Sequence, residues 1–288
     1  SGYPNMDFDF ESAAEESGDE YDADKRAADM LDKLRDEALQ FLDVPILRAQ
    51  MQKHIMSRYT LPEIIASILA SKLANPDLSE AQLFETLVSV MRRTPQLSIN
   101  AIKDLEWCRE VDPATVGFLQ PLLYFKGTQA VLLQRITHQL WISGDLGKKM
   151  VALALQGRGS EVFGVDAHPG AFISYAVMLD HATGVVIGET STIGHSCYIL
   201  HSVTLGSTGK GDAFDRHPKI GNRVKIGAGA KVLGNVCIQD DAFVGAGAIV
   251  TVNIKQGETV VGINRVLDRS IQKANMNDSN KDTWLYMI

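Results

Sequence analysis

The stretch VVIGETSTIGHSCYILHSVTL, residues 185–205, decides the fold. Ile187, Ile193, Ile199 and Leu205 fall six apart in it, and the residues two before them, Val185, Ser191, Cys197 and Val203, are small or apolar. Neither the period of a helix nor the alternation of a half-buried strand gives such a spacing. A six-residue unit is one short strand and a turn, so three units make a triangular coil whose aliphatic residues fill the inside. The pattern resumes at Ile220, Ile226, Val232, Ile238, Val244 and Val250, and the residues two before these include Val224, Ala230, Val236, Ala242 and Ala248. Both sets are expected to point inward in a solenoid of about four coils. Leu205 and Ile220 are fifteen residues apart, which is not a multiple of six, so the segment LGSTGKGDAFDRHPK must leave the solenoid as a loop. Loops on rigid scaffolds carry chemistry.

Upstream of Phe163 the grammar is helical. Thr60-Leu61-Pro62-Glu63 opens the run LPEIIASILASKLA as a capping box that Asn75-Pro76 stops, and Ser79-Glu80-Ala81-Gln82 repeats the device before LFETLVSVMRR. Val131, Leu132, Ile136 and Leu140 keep helical spacing up to Ser143-Gly144. The chain thus reads as an α+β multidomain protein. Its parts are an acidic disordered tail (1–24), an all-helical N-terminal domain (25–162), a solenoid with an extruded loop (163–266) and a flexible C-terminal tail (267–288).

Of 288 residues, 45% are apolar and 22% charged, with a net charge of −7. This supplies real cores and excludes wholesale disorder. Residues 1–24 hold nine acids and no base, enough to account for the whole negative charge. The rest has no basic excess of the kind nucleic-acid binding needs. No apolar run approaches a membrane span, and the first residues, SGYPNMDFDF, have no basic and apolar leader. A soluble, cytoplasmic protein is expected. Cys108, Cys197 and Cys237 form no CxxC pair and read as buried thiols.

Five of seven histidines, His168, His181, His195, His201 and His217, lie in the solenoid half. Counting back by six from Ile187 puts His181 in a slot that the repeat fills with aliphatics. A polar ring there costs stability, so a functional reason is expected.

Around it the motifs are VDAHP (165–169), MLDHATG (178–184), LGSTGKGDAFDRHPKIG (205–221) and GAGAKVLGN (227–235), preceded by DPA at Asp112 and PLLYFKG (121–127). Together they resemble the serine O-acetyltransferases, hexapeptide-repeat acyltransferases built on a left-handed parallel β-helix, over most of residues 105–262. The resemblance implies acetyl transfer from acetyl-CoA to the hydroxyl of L-serine in cysteine biosynthesis, with no metal and no permanently bound cofactor. It makes His181 the general base and Asp166 the carboxylate that orients its imidazole. A free imidazole titrates at about 6.5 and suits that task, and an aspartate on the other ring nitrogen fixes the tautomer. It gives the serine carboxylate to Arg216 and His217, and the ammonium to Asp112 and Asp180. For coenzyme A it implies Ala228 and Ala246 along the pantetheine arm and Ser207 and Thr208 near the thioester. Lys219, Lys225 and Lys231, each one before an inward aliphatic, are expected on outer corners facing phosphates. The family often shows Gly-Val-Pro-Ala where this chain has Gly262-Ile263-Asn264-Arg265.

The resemblance further implies a trimer or a dimer of trimers, cysteine as feedback inhibitor, and no nucleic-acid or membrane partner. It also implies O-acetylserine sulfhydrylase as a partner, its amino-acid pocket receiving the apolar Trp284-Leu285-Tyr286-Met287-Ile288 through Ile288. Two other readings stay open on residues alone: a zinc enzyme of the γ-carbonic anhydrase kind on the same coil, and a non-catalytic scaffold for the sulfhydrylase.

Overall fold

The computed structural model describes residues 20–209 and 214–267. Eight α-helices come first among them: α1 (Glu20–Leu39), α2 (Pro45–Met51), α3 (Leu61–Leu73), α4 (Glu80–Arg93), α5 (Gln96–Val111), α6 (Leu119–Tyr124), α7 (Lys126–Ile142) and α8 (Leu146–Phe163). A π-helical turn, Gln52–Met56, extends α2. The first helix begins at Glu20, inside the stretch assigned to the acidic tail.

Local chemistry sets the ends. The Thr60 hydroxyl accepts from Glu63 N at 3.4 Å, while the Glu63 carboxylate accepts from Tyr59 N at 2.9 Å. The box thus closes one residue earlier than its ideal form. Ser79 caps α4 through Gln82 N. Gly164, in the left-handed region at φ 70°, stops α8.

Fifteen short strands follow, from β1 (Val165–Ala167) to β15 (Arg265–Val266), and stack into a parallel β-solenoid of about five turns. The first face is β1, β4 (Val185–Ile187), β7 (Thr204–Gly206), β10 (Lys231–Leu233) and β13 (Ile249–Val250); the second is β2 (Phe172–Ile173), β5 (Thr192–Ile193), β8 (Lys219–Ile220) and β11 (Cys237–Ile238); the third is β3 (Met178–Asp180), β6 (Tyr198–Leu200), β9 (Lys225–Ile226), β12 (Phe243–Val244) and β14 (Thr259–Val261), closed by the antiparallel β15. The residues counted as inward are inward: Ile187, Ile193, Ile199, Leu205, Ile220, Ile226, Val232, Ile238, Val244 and Val250 are buried, as are their partners two before. There are about five coils rather than four, because β1 to β3 form a coil before the readable register begins.

That first coil corrects the reading of His181. The inward residue of β3 (Met178–Asp180) is Leu179, paired with Ile199 and eight residues before Ile187. Two extra residues, His181 and Ala182, make the corner between β3 and β4 (Val185–Ile187), both left-handed at φ 56° and 55°. His181 therefore occupies no aliphatic slot, and its side chain is 74% exposed.

The two parts are clamped by a buried ion pair. Asp104 on α5 and Arg135 on α7 bond each other, and the guanidinium also donates to the carbonyls of Ile173 (3.1 Å) and Ser174, while Asp104 accepts from Val177 N at 3.1 Å. Helix α7 also starts against β3: a Cβ on Gly127 would lie 1.9 Å from the Leu179 carbonyl oxygen. Both charges of the clamp are fully enclosed, so removing one strands the other. Arg135→Met is expected to cost about 3–5 kcal/mol in urea denaturation, and the double change with Asp104→Leu less. A larger loss for the double would show that the pair acts through packing rather than charge.

Candidate active site

The edge where the third face turns into the first carries His181. Asp180 closes β3 just before it, with Oδ2 accepting from the Tyr198 hydroxyl at 2.7 Å and lying 3.8 Å from His181 Nε2. The second carboxylate comes from the helical domain: Asp112 ends α5 in extended conformation, its Oδ1 accepting from Ala114 N at 2.9 Å. Burial pushes the Tyr198 hydroxyl and the Cys108 thiol up, the thiol to about 12, and Asp112 and Asp180 add to both shifts. Asp112 and Asp180 thus both act on the Tyr198 hydroxyl, and their joint negative charge favours a cation there.

One file of residues climbs this edge. The His201 ring stands 5.8 Å from His181, edge to face, Gly229 N donates to the His201 carbonyl at 2.9 Å, and Gly247 N to the Ala228 carbonyl at 2.8 Å. His181, His201, Ala228 and Ala246 thus occupy successive coils. Backbone meets backbone closely here, since a Cβ on Gly227 would lie 2.5 Å from Ala246 N. Small residues leave room along the upper file for a ligand arm.

The loop leaves at a different edge, between the first and second faces. His217 is buried there, its Nδ1 accepting from Thr190 N at 3.2 Å and from the Thr190 hydroxyl at 2.9 Å. That hydroxyl in turn accepts from the backbone N–H groups of Arg216 and His217, both at 3.2 Å. An accepting Nδ1 leaves the ring proton on Nε2, a donor suited to an anion. Burial, then Arg216 and Lys219, lower the His217 pKa. Arg216 is exposed; Ser207 accepts from Gly209 N at 3.1 Å, and Thr208 stands exposed beside Gly234. Asp166, outward on β1, accepts from Gln156 Nε2 at 2.7 Å.

The lysines depart from expectation. Lys219 lies on β8 (second face), Lys225 on β9 (third) and Lys231 on β10 (first), on strands rather than corners. A period of six advances one face per step, and a row up one face needs eighteen. Lys219 Nζ is also occupied, donating to the carbonyls of Thr190 (2.6 Å) and His217 (3.0 Å) and paired with Asp215.

One chain therefore gathers Asp180, His181, Ala228 and Ala246 at one edge, with Asp112 at the end of α5 acting on Tyr198, and Ser207, Thr208, Arg216, His217 and Lys219 at another. Ile288 lies outside the described residues. Sequence reasoning missed Tyr198 and Thr190, the residues that hold Asp180 and His217. Recognising the two-residue insertion would have found Tyr198, because it sets the first two coils 20 residues apart, Met178 opposite Tyr198.

The proteins similar to this chain include serine acetyltransferases of plants and bacteria. The family model for the serine acetyltransferase N-terminal region matches residues 30–132, and that for the bacterial transferase hexapeptide matches 217–251. Serine acetyltransferase of Buchnera aphidicola is 43% identical over 219 residues, 76% of this chain and 79% of that protein. The chain belongs to the serine acetyltransferase family. The mitochondrial serine acetyltransferase 3 of Arabidopsis thaliana is 40% identical over 245 residues, 85% of this chain, which spans 62% of that longer protein. The Neisseria gonorrhoeae serine acetyltransferase solved in complex with serine superimposes with a TM-score of 0.78 at 40% identity, covering 83% of this chain and 96% of that one. Solved serine acetyltransferases in complex with coenzyme A and with cysteine, each 38% identical over 84% of this chain, give TM-scores of 0.79 and 0.80 and are covered to 100% and 93%. Membership in this family, not the count of histidines, decides against the carbonic anhydrase reading.

Gly188 is what lets His217 sit deep: a Cβ there would lie 2.1 Å from the imidazole Cδ2. Gly188→Ala is expected to push the ring toward solvent. Burial holds the wild-type ring in its neutral form, so the His217 resonance should titrate below the ordinary 6.5 in the wild type and move up toward it in the variant. A histidine-resolved NMR titration reads both; an unmoved midpoint would contradict the burial account.

Proposed function

We propose that the chain transfers the acetyl group of acetyl-CoA to the hydroxyl of L-serine, giving O-acetyl-L-serine and coenzyme A, by direct attack within a ternary complex. The observation that carries the reading is the Asp180 carboxylate held 3.8 Å from an exposed histidine, His181, in a member of this family. His181 takes the hydroxyl proton as the oxygen–carbon bond forms, and returns it to the sulfur as the thioester carbon–sulfur bond breaks. Asp166 orients that imidazole, exchanging its present bond to Gln156 for one to the ring. The two acids take the ammonium, and Arg216 with the His217 Nε2–H takes the carboxylate. Coenzyme A runs along the edge of Ala228 and Ala246, with Ser207 and Thr208 near its thioester. Lys225 and Lys231 are left to meet its phosphates from separate faces, while Lys219 braces the loop.

The acid edge and the Arg216–His217 edge lie apart on one chain, which supports a site built between copies, in a trimer or a dimer of trimers. Cysteine, with the same ammonium and carboxylate as serine, inhibits by occupying that site. Ile288 and the apolar residues before it are the segment offered to O-acetylserine sulfhydrylase, and a peptide of residues 279–288 should inhibit that enzyme in competition with O-acetylserine.

A thiol-release assay tests the function. Serine should release coenzyme A from acetyl-CoA; His181→Ala should lower turnover at least ~100-fold with the fold retained, and Arg216→Ala should raise the KM for serine far more than that for acetyl-CoA. Co-refolding His181→Ala with Arg216→Ala should restore part of the turnover at low serine, where each alone is impaired, since mixed assemblies contain some sites with both edges intact. No recovery, from variants that do assemble, would place the whole site on one chain.

A further inference from the structure

Resting on the serine-site reading above, we infer that Tyr198 is a positioning residue that holds the Asp180 carboxylate ready for the ammonium group of the acceptor amino acid. Tyr198 opens β6 (Tyr198–Leu200), one coil above Asp180, and is 5% exposed. Cys108, Met178, Leu200 and Phe243 pack around it in one buried cluster, edged by Trp107, Phe125 and Ala228. The ring is held by this cluster, while its hydroxyl reaches Asp180 Oδ2 at 2.7 Å. Burial, and then the carboxylate itself, push the phenol up from its ordinary value, so it keeps its proton and always donates.

The bond matters because of what else the same oxygen can reach. Asp180 Oδ2 stands 3.8 Å from His181 Nε2, outside hydrogen-bond distance but within one small side-chain rotation of it. A carboxylate closed onto the base would be spent there, leaving Asp112 alone to receive a cation. Among the described residues, other polar groups at the His181 corner make their contacts elsewhere. His201 meets the imidazole at its edge, Lys126 donates to the Thr183 hydroxyl, and Asp112 is itself an acceptor. The Tyr198 hydroxyl holds Oδ2 at 2.7 Å and so restrains the carboxylate, as a preorganised site requires.

Tyr198→Phe removes the hydroxyl and keeps the packing. In the thiol-release assay the variant is expected to show a KM for serine raised about 10-fold, the scale of one hydrogen bond to a charged group. The KM for acetyl-CoA should stay within about twofold, and the thermal midpoint should be unchanged. Tyr198→Leu, which also loses the ring, should lower the midpoint and so mark what a purely structural loss looks like. An unchanged KM for serine in Tyr198→Phe, or equal rises in both constants with a lower midpoint, overturns the proposal. A wild-type protein with no serine-dependent thiol release would instead remove the acceptor reading itself, and the role of Tyr198 with it.

Discussion

A triangular coil closes only when its inward side chains fill the same small interior in every turn, so any residue added to or taken from the repeat must be absorbed at a corner. Close packing leaves no other place for it. The inward aliphatics from Val185 to Val260 are almost wholly enclosed, and their pairing distance of 18 residues is kept through the middle of the solenoid. It departs from 18 at three places. Coil one meets coil two at 20, the loop stretches the next step to 27, and the last step shortens to 16. The first departure extrudes His181 and the second extrudes the segment with Arg216 and His217. The residues of the proposed site thus sit where the period breaks, on corners that the unbroken strands above and below hold still.

The helical domain depends on the same rigidity. Asp104 and Arg135 bond the backbone of residues 173–177, a corner that the ladder keeps in place, and through it α5 and α7 are aligned with the solenoid. Asp112 lies eight residues beyond Asp104, about 12 Å along the helix. The clamp thereby sets where α5 ends, and so how closely Asp112 approaches Asp180. Trp107 helps on the way, its indole N–H donating to the Cys197 carbonyl at 3.3 Å. A charged clamp contributes little net stability over an apolar one, but it tolerates one register only.

The aliphatic register was legible because burial acts on each residue by itself: Ile187 and Ile226 declare their side of the strand without knowing their partners. The helix caps at Thr60 and Ser79 were legible for the same local reason. His181 was placed on the wrong logic. Two inserted residues look the same as two ordinary ones until the inward Leu179 is matched to Ile199. The lysines were expected on corners, but the residue just before an inward aliphatic is already part of its strand. Tyr198 and Thr190 were invisible because each acts by touching a residue one coil away, and that distance in sequence depends on the insertions. The Asp104–Arg135 pair shows the same limit: nothing in either helix marks its charge as the one that is buried.

The charge pattern has a geometric consequence. An amino acid carries its ammonium and carboxylate on neighbouring atoms, so the groups that receive them must lie within a few ångströms of each other. Asp180, with Asp112 acting on the same Tyr198 hydroxyl, stands where the third face turns into the first, whereas Arg216 and His217 stand where the first turns into the second, with the width of a face between them. No rotation of side chains brings the two sets together within one rigid coil. On the proposed reading each edge is half of a complementary pair, acid on one and base on the other, and the assembly we propose has a neighbouring copy offer the missing half. Such a contact joins unlike surfaces, and it ends only when the chain of copies closes into a ring. In the proposed ring every acid edge would meet a basic one, so there would be as many complete sites as subunits and none in an isolated chain.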